Sequence, residues 1–371
     1  MVKQTRENQK RLNTKDSKKR MRLIAYILII ACFSLLLCFI IQYKTVEQRL
    51  AAIDAARAIP DSENAAILYN QLIDKYDKSV FSSLSIDPND IANKKPWLSK
   101  DYPDLAKWFE ERQEIITTLL QVYKFEKCRF PIPHFPDGIS TTVDRTQTMR
   151  RWAYFLARSA NNDIAEGRIE QALEKYFCII CVGRHSFQQP VALDILTGIG
   201  MESMALQRLR ICIIEIDLTE EQIQNIEKAI KQSDNKWTRE WNNMIEVEKL
   251  YNKQSPLPIR LKTWFQNWRN NKSTFDRLNE INLRFLADRR GTEIIIALRQ
   301  FKKKTGQWPE SLEQIKELVS QDILIDPQNN GPFVYKLTKN GFYLYSIGTN
   351  KKDEAGRYRN GADDRSIWPL P

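Results

Sequence analysis

RRWAYFLARSANNDIAEGRIEQALEKYFCIICVGRHSF, running from Arg150 to Phe187, is the stretch on which the fold turns. Apolar residues recur at three- and four-residue spacing on both sides of Gly167, which interrupts the pattern at a single point. Such a period around one glycine predicts two helices folded against each other at a turn. The same period extends outward from Val46 to about Leu286, punctuated by proline and glycine. AAIDAARAIPDSENAAILYNQLIDKY (51–76) predicts a helix, a stop at Pro60 and a second helix capped by Asp61 or Ser62. Leu105, Trp108, Phe109, Ile115, Ile116, Leu119 and Tyr123 form one broad apolar stripe, and Pro131, Pro133 and Pro136 break the chain into a connector. LTEEQIQNIEKAIKQS (218–233) opens on a Thr219 cap. The basic and aromatic run SPLPIRLKTWFQNWRNN (255–271) carries Trp264, Phe265 and Trp268; such a run either packs on a helical body or grazes a membrane surface.

Beyond Leu286 the character changes. A helix stops at Gly306, a proline turn follows, and FVYKL (333–337) and FYLYSI (342–347) alternate as strands do, with Asn340 and Gly341 between them as the hairpin signal. The end of the chain therefore reads as a small α+β unit with a short antiparallel sheet.

At the other end, LIAYILIIACFSLLLCFII, Leu23 to Ile41, is nineteen residues without a charge. At about 1.5 Å per residue it matches a hydrocarbon core of roughly 30 Å. Nine Lys or Arg precede it, against Glu7 and Asp16, so Met1–Arg22 carries +7 of the formal +11. The basic character is thus a tail effect and not the footprint of a nucleic-acid-binding surface. The charge asymmetry places the N-terminus in the cytoplasm and the large domain outside it, and the length of the apolar run, with QYKTVEQRL behind it, suits an uncleaved signal anchor. Tyr43 sits where an interfacial anchor belongs. The expected architecture is mainly α: a basic cytoplasmic tail (1–22), a transmembrane helix (23–43), an extracytoplasmic helical body (44–284) and an α+β domain (285–371).

Ala160, Gly167, Ala172 and Tyr176 make the central hairpin similar to one tetratricopeptide-type repeat, whose kind stacks into interaction surfaces. IIIALRQFKKKTGQWPESLEQI, IDPQNNGPFVY, GFYLYSIGTN and ADDRSIW resemble, in order and spacing, the C-terminal domain of type II secretion major pseudopilins. The helical part also resembles bacterial membrane-anchored envelope proteins that join an anchor, a helical body and such a tail. RMRLIAYILII lacks the Gly and glutamate of a pilin processing signature, and about 240 residues separate membrane helix from tail, so the tail reads as a module and not as a pilus subunit. The resemblance implies a structural Ca2+ in TNKKDEAGRYRNGADD (349–364), with Asn350, Asp353, Asp363 and Asp364 as its ligands. KKDEA stands where the family has glycines, and Arg357 and Arg359 offer the same acids ion pairs instead.

Catalytic signatures are sparse. The chain has two histidines, His134 and His185, and no H-E-x-x-H, G-x-S-x-G or phosphate-cradling glycine run. Cys178, Cys181 and His185 have ligand-like spacing along one helix with Glu174, but Glu174 to His185 spans about 16 Å of helix, too far for one ion. They read as the half-buried face of a hairpin. Cys128 and Cys212 complete a set too small for a disulfide framework on which the fold depends. The expected role is a non-catalytic interaction or scaffold module at the bacterial inner membrane, with an unspecified protein partner. An accessory part of a type II secretion-like assembly stands second, and an extracytoplasmic hydrolase third.

Overall fold

Helix follows helix along most of the chain: α1 (Ala65–Lys75), α2 (Ile91–Lys94), α3 (Pro103–Glu110), α4 (Gln113–Leu120), α5 (Gly138–Ala165), α6 (Ile169–Phe187), α7 (Ala192–Glu215), α8 (Glu220–Lys231), α9 (Trp237–Gln254) and α10 (Thr274–Thr305). Strands β1 (Val334–Thr338), β2 (Gly341–Ser346) and β3 (Arg365–Trp368) close the chain as an antiparallel sheet in that order. The computed structural model describes residues 26, 29–34, 36–37, 40–76, 91–133, 138–231, 237–255, 258–260, 262, 273–358 and 362–369. It is mainly helical, as the periodicity requires, and residues 57–371 form one compact unit, with 1–56 as another.

In the first unit the chain is helical over 40–56, and Ile29, Phe33, Leu36 and Ile40 are exposed. No helix among the described residues is long and apolar enough to cross a membrane. The expected span over 23–43 falls in part on positions 23–25, 27–28, 35 and 38–39, which lie outside the described residues, as do the basic tail, His134 and the aromatics Trp264, Phe265 and Trp268.

The second unit is organised by the α5–α6 hairpin. Gly167 takes φ +77° in its turn, a left-handed conformation that costs glycine little. Ala160 and Ala172 are fully buried, small enough for the helices to close, and Tyr176 Oη donates to Asn161 Oδ1 at 2.7 Å. Asn161 donates in turn to the Ala92 carbonyl at 2.7 Å, tying α2 to α5. Trp152 lies stacked on Tyr69 of α1, 6.0 Å between ring centroids. α6 and α7 approach each other closely: a Cβ on Gly198 would lie 2.7 Å from the Gly183 carbonyl oxygen. Backbones this close leave no room for a methyl group, so these glycines are a packing requirement.

Local signals held in some places and shifted in others. Thr219 Oγ1 accepts from Gln222 N while Gln222 Oε1 accepts from Thr219 N, a reciprocal cap at the start of α8. The cap of α1 is Asn64 and not Asp61 or Ser62: residues 61–63 wind into a 3-10 turn, which leaves the Asn64 side chain to accept from Ala66 N at 3.0 Å. The 105–123 stripe breaks into α3, α4 and a 3-10 turn at Gln121–Lys124. In the hairpin, Thr338 pairs with Gly341, so Lys339 and Asn340 form the loop, and Gly341 is the first residue of β2. RSIW was not anticipated as a strand; with four residues it is too short for alternation to reveal.

The sheet is joined to the helices through α10, which runs unbroken across the 284/285 division drawn on the sequence. A reciprocal box between Ser273 and Asp276 starts this helix and left-handed Gly306 stops it. Asp288 accepts from Arg210 of α7 at 3.3 Å and from both Nε and Nη2 of Arg365 of β3, at 3.3 and 2.7 Å. One turn on, Gly291 leaves space that Ile367 fills; a Cβ there would meet its side chain at 2.6 Å.

Gly198→Ala should lower stability by about 2 kcal/mol through overpacking against Gly183. Gly200→Ala, two residues along the same helix and facing open space, should be neutral or stabilise by up to about 1 kcal/mol. Thermal melting of the two variants side by side reads the difference; equal melting temperatures would remove the close helix crossing.

Candidate functional site

Among the described residues, a group of three carboxylates, Glu354, Asp363 and Asp364, gathers in the loop between β2 and β3. Its entry is set by Gly348, φ +66°, where a Cβ would lie 2.2 Å from Asp363 Oδ1. Ser346 Oγ accepts from the Gly348 amide at 3.0 Å and from Gln328 Nε2 at 2.6 Å, which links the loop to the turn around buried Asp326. The chain then returns to Tyr345 of β2: a Cβ on Gly356, φ +76°, would lie 3.6 Å from that ring. Within KKDEA, Lys351 and Ala355 take φ +60° and +59°, the left-handed conformation that glycine adopts at least cost. Each such residue costs on the order of 1 kcal/mol, which the surrounding hydrogen bonds must offset.

Those bonds leave a specific residue of acceptors. Asp363 Oδ2 accepts from Thr349 N at 2.9 Å, Thr349 Oγ1 at 2.8 Å and Asn350 N at 3.2 Å. Asp364 Oδ2 accepts from Glu354 N at 2.9 Å and Gly356 N at 2.8 Å. The second oxygen of each carboxylate, Oδ1, is buried and has no hydrogen-bond partner. Glu354 joins them: its Oε1 accepts from Asn350 Nδ2 at 2.8 Å and its Oε2 from Asp363 N at 3.3 Å. One carboxylate oxygen from each of Glu354, Asp363 and Asp364 lies within 4.8 Å of the others. Burial, with Glu354 alongside, pushes the Asp364 carboxyl up to about 6.

Of the four ligands that the resemblance implied, Asp363 and Asp364 converge and the other two do not. Asp353 Oδ1 accepts from Tyr345 Oη at 2.8 Å and Ala355 N at 2.9 Å, and Oδ2 from Lys336 at 3.2 Å. The Ala355 amide first, and then Tyr345, hold its carboxyl below the usual range. Asn350 turns its amide oxygen to Lys352 N at 2.7 Å and supports Glu354 with its nitrogen. Glu354 is the residue that sequence reasoning missed. It stands next to Asp353 in the same acidic pair, and the two acids turn to different partners, Asp353 to Tyr345 and Lys336 and Glu354 to Asn350 and the Asp363 amide. Arg357 donates to the Glu354 carbonyl at 2.8 Å, and Arg359 lies outside the described residues.

The donor set is carboxylate oxygen throughout, the chemistry of a hard cation such as Ca2+, which takes six to eight oxygens at about 2.3–2.6 Å. Two buried carboxylate oxygens without a donor fit such an ion, because an uncompensated buried acceptor carries its full desolvation cost.

The Cys178, Cys181 and His185 set is core, more deeply buried than the half-buried face the periodicity suggested. His185 Nε2 donates to the Phe125 carbonyl at 2.9 Å, which leaves Nδ1 to accept from Tyr69 Oη at 2.9 Å. Cys181 Sγ lies 3.7 Å from His185 Nε2, while Cys178 reaches the Leu119 carbonyl and Glu174 is exposed. Burial pushes the Cys181 and Cys212 thiols up to about 12 and the His185 imidazolium down to about 4. These thiols and this imidazole are neutral and held by the core.

Comparison of the chain with protein-family models, with curated proteins and with solved structures finds no match. The functional reading therefore rests on the geometry of the site and on the sequence.

Isothermal titration with Ca2+ should give one site per chain. Asp363→Asn and Asp364→Asn should each weaken binding at least tenfold, and Glu354→Gln should do the same. Asp353→Asn, whose carboxylate serves Tyr345 and Lys336, should leave the affinity within about twofold; a loss equal to that of Asp363→Asn would restore the ligand set read from the sequence. A second expectation concerns pH. The unfolded chain takes up the His185 proton near 6.5 and the folded chain only near 4, so this contribution is complete above about pH 6.5 and is lost as pH falls toward 4. It amounts to about 3 kcal/mol. Asp364, raised to about 6, acts in the opposite sense, so the readout is the difference between wild type and His185→Gln in urea melts from pH 7 to 4. A variant with an undiminished slope would refute the assignment.

Proposed function

We propose that this is a single-pass membrane-anchored envelope protein of the bacterial inner membrane, with its N-terminus cytoplasmic and its helical body extracytoplasmic. Its work is non-catalytic: the tetratricopeptide-like body binds or scaffolds a protein partner, and the pseudopilin-like tail is a Ca2+-braced cap. The observation that carries this reading is the contrast between two sets of reactive groups. His185 and the thiols are engaged within the core, whereas the buried oxygens without a hydrogen-bond partner in the β2–β3 loop, Asp363 Oδ1 and Asp364 Oδ1, belong to carboxylates, the donor type of a hard cation. The anchor is supported by the uncharged Leu23–Ile41 run and the +7 tail before it.

A second reading, an accessory component of a type II secretion-like assembly, is favoured by the order of the tail. A helix stopped by Gly306, the turn at Asp326, a hairpin and the acidic loop follow one another in the order of the motifs on which the pseudopilin resemblance rests.

Protease added to spheroplasts should digest the body while an N-terminal tag stays protected, and inverted vesicles should show the reverse. Digestion of the body from the cytoplasmic side alone would overturn the topology. Recovery of secretion-system subunits in detergent pull-downs would place the second reading first.

A further inference from the structure

Every main-chain N–H and C=O from Cys128 to Phe130 is taken by a side chain. The Cys128 amide donates to Gln188 Oε1 at 2.7 Å, and its carbonyl accepts from Gln189 Nε2 at 3.0 Å. Asn64 binds both groups of Arg129, its Oδ1 accepting from the amide at 2.8 Å and its Nδ2 donating to the carbonyl at 3.0 Å. The Phe130 amide donates to Gln189 Oε1 at 3.0 Å, and the Phe130 carbonyl accepts from Arg57 Nη1 at 3.4 Å. Just upstream, Gln188 Nε2 and the Ala65 amide take the carbonyls of Glu126 and Lys127, at 2.8 and 2.9 Å. We infer that Asn64, Gln188, Gln189 and Arg57 form a binding cleft for an extended polypeptide main chain. At rest the cleft is filled by residues 126–130 of the same chain, and the partner of the helical body binds by laying a segment of its own there. The inference rests on the protein-partner reading proposed above and deepens it, since it names the surface and the kind of segment that fits.

A carboxamide carries a donor and an acceptor side by side, so it complements a peptide unit whatever residue that unit belongs to. Three carboxamides in a row therefore read a main chain as the edge of a sheet does. Selectivity comes from the side chains that alternate inward along an extended chain. Cys128 and Phe130 are buried, whereas Glu126 is exposed and Lys127 and Arg129 are half-buried. The Phe130 ring lies 6.0 Å from that of Tyr69, and the Arg145 guanidinium sits 4.2 Å from its centroid on the cation–π side. The cleft thus takes a small residue and, two positions on, an aromatic ring. Its walls hold together without the occupant, because Tyr69 of α1 stacks on Trp152 of α5 and donates to His185 of α6. A second feature points to entry from outside. Asn64 also lines an open groove of about 380 Å³, between Ile67, Leu68 and Gln71 of α1 and Gln121, Lys124 and Phe125. The groove lies where residues 126–130 enter the cleft, and it gives an incoming segment room for the residues that precede its clasped ones. A tethered occupant competes at an effective concentration on the order of millimolar. Only a segment that fits better than the internal one displaces it.

The probe is a fluorescein-labelled peptide of residues 124–133 carrying Cys128→Ser, added to the detergent-solubilised full chain. Phe130→Ala in the protein weakens the internal occupant and leaves the four clasping residues in place, so this variant should bind the peptide at least about tenfold more tightly than wild type. Gln188→Ala added to Phe130→Ala should lose about fivefold of that affinity. A peptide N-methylated at positions 128 and 130 keeps every side chain but has no N–H there, and it should fail to compete. Wild type supplies a readout that needs no variant to fold: millimolar peptide should speed alkylation of Cys128 about fivefold by freeing residues 126–130, while Cys178 and Cys212 keep their rates in peptide mapping by mass spectrometry. Unchanged alkylation of Cys128 together with no uptake of the peptide by Phe130→Ala overturns the cleft, and so does an N-methylated peptide that binds as well as its parent. A protein partner recovered equally by wild type and by Gln188→Ala also overturns the cleft and leaves the partner reading standing. Peptide uptake by a chain that recovers no partner removes the partner and leaves the cleft.

Discussion

Asp288 is the point through which the helical body and the sheet are one object. Its carboxylate is almost fully buried and receives guanidinium groups from α7 and β3. A buried acid of this kind adds little net stability relative to an apolar pair of the same shape, but removal of either partner leaves an uncompensated charge and costs about 3–5 kcal/mol. The consequence is specificity. Only one placement of β3 on α10 gives Asp288 both arginines, and the same placement seats Ile367 over Gly291. A four-residue strand that pairing alone would hold weakly thereby acquires a single address.

The same logic of paired burial runs through the body. Arg145 meets Asp194 at 2.8 Å, Arg289 meets Glu202 at 3.2 Å, and Asp163 receives both Arg168 and Lys175. Each joins elements that apolar stripes alone would leave free to slide. Against that background the acidic loop is the exception. It gathers three carboxylates within 4.8 Å of one another, and two of its non-glycine residues, Lys351 and Ala355, are left-handed.

Much of this was legible along the chain. The hairpin around Gly167, the Thr219 cap, the Gly306 stop and the two longer strands all depend on contacts within a few residues, and local patterning suffices for them. Asp363 and Asp364 were legible through the likeness of ADDRSIW to a calcium-loop terminus. Asn64 as the cap of α1 was hidden because three capping residues stand in a row, and the 3-10 turn that selects among them is a matter of geometry. β3 was hidden by its length. Glu354 was hidden by Asp353: two adjacent acids are equivalent in sequence, and only the folded loop shows that one meets Tyr345 and Lys336 and the other the cluster.

The sequence by itself determined the helical class, the order of the elements, the apolar run near the N-terminus and the concentration of positive charge before it, since periodicity, hydropathy and charge are properties of neighbouring residues. Only the tertiary structure decided which acids share a site, that His185 and the thiols are core, and that the tail is bound to the body through Asp288. Those depend on residues about 80 to 155 positions apart, Arg210, Asp288 and Arg365 among them, which meet because a buried charge must find partners wherever the packed helices bring them.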